Sequence, residues 1–360
     1  MKNKLPEGWK KLDLGNLFNF EKKSNIKAGE GKEYGKYKFF TSSAVQSKFI
    51  DKAVFDGEFL VFSTGGSAGI HYCKEKFSTS TDCFIVKVDS IIITKYVYYY
   101  LFANLHILER GFKGAGLKHI SKEYIRRIKI TYPEKMETQQ KIVSILEKTE
   151  KLKEYRKNAD ELTDVFLKTV FYEMFGDERK NTNKFDIKGF LYVFNTATGK
   201  LNSNASVENG KYPFFTCSQE TFKIDKYSFD CEALLLAGNN ATAKYSVKHY
   251  NGKFDAYQRT YILTLKNNSE LYSFYHYQLE QKLGELQNKS IGTNTKYLTL
   301  GILRDIKMIC PPFPLQQKFA SIVKEVEAMK EQQKHSKEQI DNLFNALMQK
   351  AFNGKLIMGD

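Results

Sequence analysis

The sequence is poor in the residues that build cross-links and metal sites. Its 360 residues include five cysteines, six histidines, six prolines and one tryptophan. Cys73, Cys83, Cys217, Cys231 and Cys310 are odd in number and contain no Cys-x-x-Cys pair, which argues against a disulfide framework and against a zinc site. Long apolar runs are missing as well. Stretches such as Phe59–Phe62 and Leu234–Ala237 fall far short of the ~20 residues that span a bilayer. The opening Met1-Lys2-Asn3-Lys4-Leu5-Pro6 lacks the apolar stretch of a signal peptide, so the chain reads as cytoplasmic, with no membrane partner. No Gly-x-x-x-x-Gly-Lys-Ser/Thr occurs, which excludes a P-loop motor, and no convincing nuclease cluster of Asp followed by Glu-x-Lys on a strand is found.

Acidic residues are in short supply too: 41 Asp and Glu face 56 Lys and Arg, a net charge of +15. That excess favours a polyanionic partner, nucleic acid before membrane surface; a generally Lys-rich composition gives the same number. Against these shortages stand 28 Phe and 22 Tyr in a chain that is 42% hydrophobic, enough to fill real cores. The length calls for two or three domains.

An internal repeat supplies the organisation. Tyr37-Lys38-Phe39-Phe40-Thr41-Ser42-Ser43 is answered by Tyr212-Pro213-Phe214-Phe215-Thr216-Cys217-Ser218, 175 residues on. Glu58-Phe59-Leu60-Val61-Phe62, running into a small glycine-containing stretch, is answered by Glu232-Ala233-Leu234-Leu235-Leu236. Gly114, Lys118, Ile120, Ile125, Ile128 and Pro133 match Gly292, Lys296, Leu298, Leu303, Ile306 and Pro311, all displaced by 178. Gln139-Gln140-Lys141-Ile142-Val143 matches Gln316-Gln317-Lys318-Phe319-Ala320, displaced by 177.

After each Gln-Gln-Lys comes a run at alternating steps of three and four: 142, 145, 149, 152, 156, 159, 163, 166 and 170, repeated from Phe319 to Leu347. Such a seam predicts two long amphipathic helices, roughly 60 Å each at ~1.5 Å per residue. A single apolar stripe needs a partner, and the economical partner is the other copy. Arg156, Gln333 and Ser336 would fix register in mid-helix. In the heads, Ile128–Tyr132 and Tyr261–Leu265 alternate like half-buried strands, and segments around Tyr96–His106 and Leu271–Leu286 read as helices. The fold class is therefore mixed α/β (α+β). Two heads, 1–133 and 185–314, are each followed by a long helix, 134–176 and 315–353, with a polar linker at 177–184.

Catalytic signatures are weak. Ile309-Cys310-Pro311-Pro312-Phe313 echoes the Asn/Asp-Pro-Pro-aromatic motif of amino-methyltransferases, but Cys310 is a poor acceptor for the target amino group, and a domain-exit turn explains it. His71 near Cys73 has no further ligand nearby. Gly65-Gly66-Ser67-Ala68-Gly69 could cradle a phosphate. The residue types suited to phosphates or base edges sit in loops: Ser63, Thr64, Gly65, Gly66, Lys113 and Lys118 in the first head, and Asn239, Asn240, Thr242, Lys244, Arg259, Thr293 and Lys296 in the second. Asparagine suits adenine, arginine and lysine suit guanine or phosphate, and small residues let backbone approach closely. Phe39, Phe40, Phe214 and Phe215 are expected in the core.

The chain resembles the specificity (S) subunits of type I restriction–modification systems. The resemblance spans essentially the whole chain. It is carried by Leu5-Pro6-Glu7-Gly8-Trp9-Lys10, the two Phe-Phe pairs, the segments ending at Pro133 and Pro311, the two Gln-Gln-Lys openings and Lys350-Ala351-Phe352-Asn353-Gly354-Lys355-Leu356. It implies two target recognition domains joined by two antiparallel helices, each domain reading one half of a bipartite sequence in double-stranded DNA. It further implies two methyltransferase subunits docked alongside, with restriction subunits added. No catalytic residue, metal or cofactor is then expected in this chain; S-adenosylmethionine, ATP and Mg belong to the partners. Two departures stand out. Phe185-Asp186-Ile187-Lys188 replaces the Pro-Glu-Gly-Trp opening at the second head, and the first helix ends in Phe171-Tyr172-Glu173-Met174-Phe175-Gly176-Asp177. The residues alone leave three other readings open: a recognition module for a different defence effector, a tethering protein with no DNA affinity, and an enzyme with an unrecognised site.

Overall fold

The fold is that of a computed structural model describing residues 5–177, 180–267 and 271–356. Met1–Lys4 of the opening and Glu178–Arg179 of the expected linker lie outside the described residues. The chain divides into two compact units, residues 1–158 with 333–360 and residues 159–332. The division runs through both long helices, Met136–Phe175 and Phe313–Phe352, each of 40 residues, so each head shares its unit with half of each helix.

In the first unit, a four-stranded sheet runs in the order Phe18–Phe20, Cys83–Val88, Phe59–Ser63, Ile70–Cys73. A three-stranded sheet places Tyr37–Phe40 between Lys48–Ile50 and Phe77–Thr79. Trp9–Asp13 pairs antiparallel with Lys129–Pro133. The strand Phe59–Ser63 is buried throughout, which suits its run of apolar residues at the centre of a sheet. Helix Thr94–Ala103 covers one face with Tyr96, Val97, Tyr99 and Leu101. The same core takes in Ile142, Val143 and Leu146 from the first long helix and Phe344, Met348 and Ala351 from the second. Lys153 pairs with Asp341 at 2.7 Å. Just past the last helix stands Gly354 (φ +70°), where a Cβ would meet Pro6 at 2.3 Å; the opening and closing motifs thus pack on each other.

The second unit repeats this plan with a longer sheet. Six strands run in the order Phe194–Thr198, Thr260–Leu265, Phe229–Ala237, Val247–Ala256, Tyr212–Phe215, Phe222–Ile224. The ten-residue strand Val247–Ala256 takes the place of two separate strands of the first head, Ile70–Cys73 and Phe77–Thr79, and so fuses two sheets into one. Asp186–Gly189 pairs antiparallel with Lys307–Cys310, as Trp9–Asp13 does with Lys129–Pro133, so the divergent opening still makes the equivalent strand. Ser121 and Thr299 cap equivalent short helices by accepting from Tyr124 N and Ile302 N. Leu167, Phe171 and Phe175 pack with Phe274, Phe319, Val323 and Val326, and Lys330 pairs with Asp164. Residues 164 and 175 of the one helix thus meet 330 and 319 of the other, an antiparallel arrangement.

The seam differs from its predicted register. Leu152, Phe166, Met329 and Leu343, placed in it by the three–four pattern, are 46%, 52%, 46% and 47% exposed, while Leu146, Leu167, Phe171 and Phe175 are buried instead. The steps 163, 167, 171, 175 advance by four, because that stretch serves the second head's core as well as the partner helix. The linker is also more ordered than its polar composition suggests. Asn181 accepts from Phe185 N and donates to Phe185 O at 3.0 and 2.7 Å, and Asn183 donates to Met174 O.

Candidate nucleic-acid interface

In each head, the loop after the central strand is joined to the segment that follows the covering helix. In the first head, Gly66 N donates to Lys118 O at 3.1 Å and Ile120 N to Thr64 O at 3.1 Å. His119 bridges both Gly65 and Lys113. In the second head, Asn239 and Asn240 pair with Tyr297 and Lys296, Ile291 bridges Tyr297, and Leu298 N donates to Gly238 O at 2.8 Å. The equivalence is residue by residue: Lys113–His119 corresponds to Ile291–Tyr297, and the Ile120 bond to the Leu298 bond. Gly114 (φ +148°) and Gly292 (φ +110°) turn the two segments. A Cβ there would lie 2.7 Å from Leu117 O and 2.1 Å from Thr295 O, so both positions exclude a side chain.

The sequence candidates divide by burial. Gly66, Lys113 and Lys118 are exposed in the first head, as are Thr242, Lys244, Arg259 and Thr293 in the second, while Asn239, Asn240 and Lys296 are half-buried. Ser63 and Thr64 are 2% and 5% exposed and work within the fold. Ser63 Oγ donates to Ser43 O at 3.1 Å, and Thr64 O also meets His119 Nδ1 at 3.2 Å. Gly65 is likewise buried, so these three shape the loop rather than present it. Asn240 Oδ1 accepts from Thr242 N, Thr242 Oγ1 and Lys244 N, which closes the second loop on itself. Arg259 O accepts from Gly238 N at 2.9 Å, holding this exposed cation beside the loop. Lys113, Lys118, Lys244, Arg259 and Lys296 form no ion pair among the described residues, which leaves their charge available to an anion.

Several further side chains help to shape the platform, in roles the sequence does not signal. Ser42 Oγ accepts from Thr64 N and Gly65 N at 3.0 and 2.8 Å and donates to Gly65 O at 2.8 Å, tying the preceding loop to the glycine loop. His71, read from sequence only as a possible partner of Cys73, instead meets Ser43 O through Nε2 at 2.8 Å; since a carbonyl only accepts, Nε2 carries the proton. Burial lowers the His71 pKa, partly offset by that bond. Burial also lowers the pKa of Lys248. Phe39, Phe40, Phe214 and Phe215 are 1%, 3%, 0% and 4% exposed and belong to the core, as expected. Cys310 lies in the strand before Phe313–Phe352 and receives a hydrogen bond from the Tyr275 hydroxyl at 3.4 Å.

Two heads that repeat one loop platform, each packed on long antiparallel helix segments, define a tandem recognition-domain protein. The family described as "Type I restriction modification DNA specificity domain" matches residues 6–161 and 179–342, and the chain belongs to it. It is a specificity subunit with two DNA-recognition domains, a non-catalytic subunit class. The chain is 32% identical over 166 residues to the type I restriction enzyme EcoDI specificity subunit of Escherichia coli, covering 44% of this chain and 36% of that one. It is 23% identical to the MjaVIII specificity subunit of Methanocaldococcus jannaschii, covering 98% and 94%. The fold matches that of a type I restriction–modification S subunit from M. genitalium with a TM-score of 0.67 at 17% identity, covering 98% and 97%. A second structure, from work on complex assembly and conformational transition of the type I system, matches with a TM-score of 0.60 at 15% identity, covering 98% and 100%. Among the described residues no helix is long and apolar enough to cross a membrane.

Proposed function

We propose that the chain selects the target of a type I complex by reading a bipartite sequence in double-stranded DNA. One word is read by the head at 1–133 and the other by the head at 185–314. The observation that carries this reading is the platform built twice with different exposed residues: Gly66, Lys113 and Lys118 in one head, Thr242, Lys244, Arg259 and Thr293 in the other, beside a half-buried Lys296. Equal scaffolds with unequal tips suit two different words. Free cations beside them suit phosphate neutralisation, which positions a protein before its base contacts discriminate. The gap between the words is set by the paired long helices, so shortening both by matched heptads changes the gap and leaves the words alone.

Two methyltransferase subunits dock on this chain, joined by restriction subunits, and the assembly works in the cytoplasm on adenine. S-adenosylmethionine, ATP and Mg are bound by those partners. What supports docking is the apolar surface left on the first long helix, Met136–Phe175. Tyr155, Leu162, Val165 and Tyr172 are 64%, 67%, 57% and 62% exposed, more than isolated surface residues need.

The test is to co-express the chain with its methyltransferase in a host lacking adenine methylation and to map modified bases genome-wide. A two-part motif with a fixed gap, lost when this chain is omitted, is the expected result. Unmodified DNA from an assembled complex would overturn the reading in favour of a tethering role.

A further inference from the structure

Two side chains of different chemistry occupy one position in the two heads and do the same work there. His71 follows Ile70, which pairs with Phe62 of the central strand; Lys248 follows Val247, which pairs with Leu236 of the equivalent strand. His71 holds Ser43 O at 2.8 Å and lies on Phe40, ring centroids 5.1 Å apart. Lys248 Nζ donates to Ser218 O at 3.0 Å, to Glu220 O at 2.8 Å and to Thr221 Oγ1 at 3.4 Å, and it sits 5.8 Å from the Phe215 ring centre. Phe40 and Phe215, like Ser43 and Ser218, are repeat equivalents.

What these anchors hold is the loop after the Phe-Phe strand, 41–47 in the first head and 216–221 in the second. Both loops turn in the same way. Val45 N donates to Ser43 Oγ at 3.2 Å and Glu220 N to Ser218 Oγ at 3.2 Å. Both are tied to the platform already described: Ser42 bonds Thr64 and Gly65, and Cys217 Sγ donates to Arg259 O at 3.4 Å, the carbonyl that also accepts from Gly238. The tips then diverge. Ala44-Val45 in one head stands where Gln219-Glu220 stands in the other, all four exposed, with Val45 69% exposed.

Matched anchors beneath unmatched tips are the arrangement that reading two different words requires. We propose that loops 41–47 and 216–221 are base-reading elements, in which Val45 and the Gln219–Glu220 pair determine specificity and His71 and Lys248 are positioning residues. This rests on the DNA-reading function above. A valine suits the thymine methyl group, glutamine the adenine edge, and glutamate accepts from the cytosine amino group. Glu220, adverse beside a phosphate, therefore belongs at a base edge.

The experiment uses the complex of this chain with its methyltransferase, comparing methylation of sites that differ by one base pair. Val45→Ala relaxes one position of the first head's word by about fivefold or more and leaves the second word unchanged. The double variant Gln219→Ala/Glu220→Ala does the reverse. His71→Ala relaxes the same position as Val45→Ala, and His71→Lys, which installs the other head's anchor, restores it; a merely structural residue would show loss of stability without this one-position signature. A motif unchanged by Val45→Ala and by the double variant overturns the inference while leaving the bipartite reading intact. A complex of the unsubstituted chain that yields no bipartite motif overturns both.

Discussion

The side-chain carbonyl of Gln139 accepts a 2.8 Å hydrogen bond from the backbone N–H of Ile93, the residue that opens helix Thr94–Ala103. Its amide donates to Pro133 O at 2.9 Å, so one fully buried glutamine fastens the long helix to a strand end and a helix start together. Gln316 repeats this in the second unit, accepting from Leu271 N at 3.1 Å and donating to Pro311 O at 2.9 Å. The Gln-Gln-Lys signature is thus a clamp, set identically in both halves.

Removing either clamp leaves buried backbone groups unpaired, at a cost of about 1–3 kcal/mol. Gln139→Ala and Gln316→Ala should each lower the unfolding free energy obtained from urea titration by that amount, seen as a lower urea midpoint at unchanged slope. The methylation motif of the surviving folded protein should not change, because neither side chain faces the loops.

Lys113 and Lys118 are exposed beside the first platform. If each neutralises a phosphate, Lys113→Ala and Lys118→Ala should each reduce the slope of log affinity against log salt by about 0.9. Binding across different sequences should weaken alike. Titrations of DNA binding at several salt concentrations check this, and an unchanged slope removes the residue from the interface.

Gly292→Ala places a methyl group 2.1 Å from Thr295 O at a φ of +110°. Strain of about 1–3 kcal/mol is expected, with loosened reading of the second word only. Gly116→Ala, whose Cβ would meet nothing within 4 Å, should be silent in both unfolding and motif mapping.

His71 supplies a pH dependence. Burial holds its folded pKa below the ordinary 6.5, so the folded head favours neutral imidazole. As pH falls below 6.5 the unfolded chain takes up the proton first, and stability declines until the pH has passed the folded value as well. Above 6.5 there is no loss. Unfolding midpoints between pH 7.5 and 5 should fall for the parent chain. They should fall less for His71→Gln, which keeps an N–H donor for Ser43 O.

Much of this was legible in the sequence. The repeat, both long helices and the Phe-Phe pairs in the core all rest on local pattern, and pattern survives in a single chain; the pairing of the glycine loops with the basic segments is long-range and appears only in the structure. The helix register did not follow from pattern, since Leu152 and Phe166 fit the seam yet point outward, and Phe171 and Phe175 turn inward to meet Phe274 and Phe319. A heptad assumes one customer for the apolar stripe; here a globular core competes for it. The roles of Ser63 and Thr64 were also hidden, because burial of a hydroxyl is decided by a neighbouring loop, Ser43 in this case. The equivalence of His71 and Lys248 escaped notice because equivalence of position is invisible when residue type differs.

The placing of Phe344, Met348 and Ala351 in the first unit's core bears on how the protein is made. A ribosome releases residues 5–158 long before these three, and the whole second unit is synthesised in between. The first head must therefore wait with part of its apolar surface uncovered, and it can finish only when the last helix emerges. Closing a core across so large a sequence separation is slow. Messages truncated ahead of Phe344 would yield chains with a second unit able to complete its core and a first head permanently short of one wall, substrates for chaperones and proteases rather than half-functional readers.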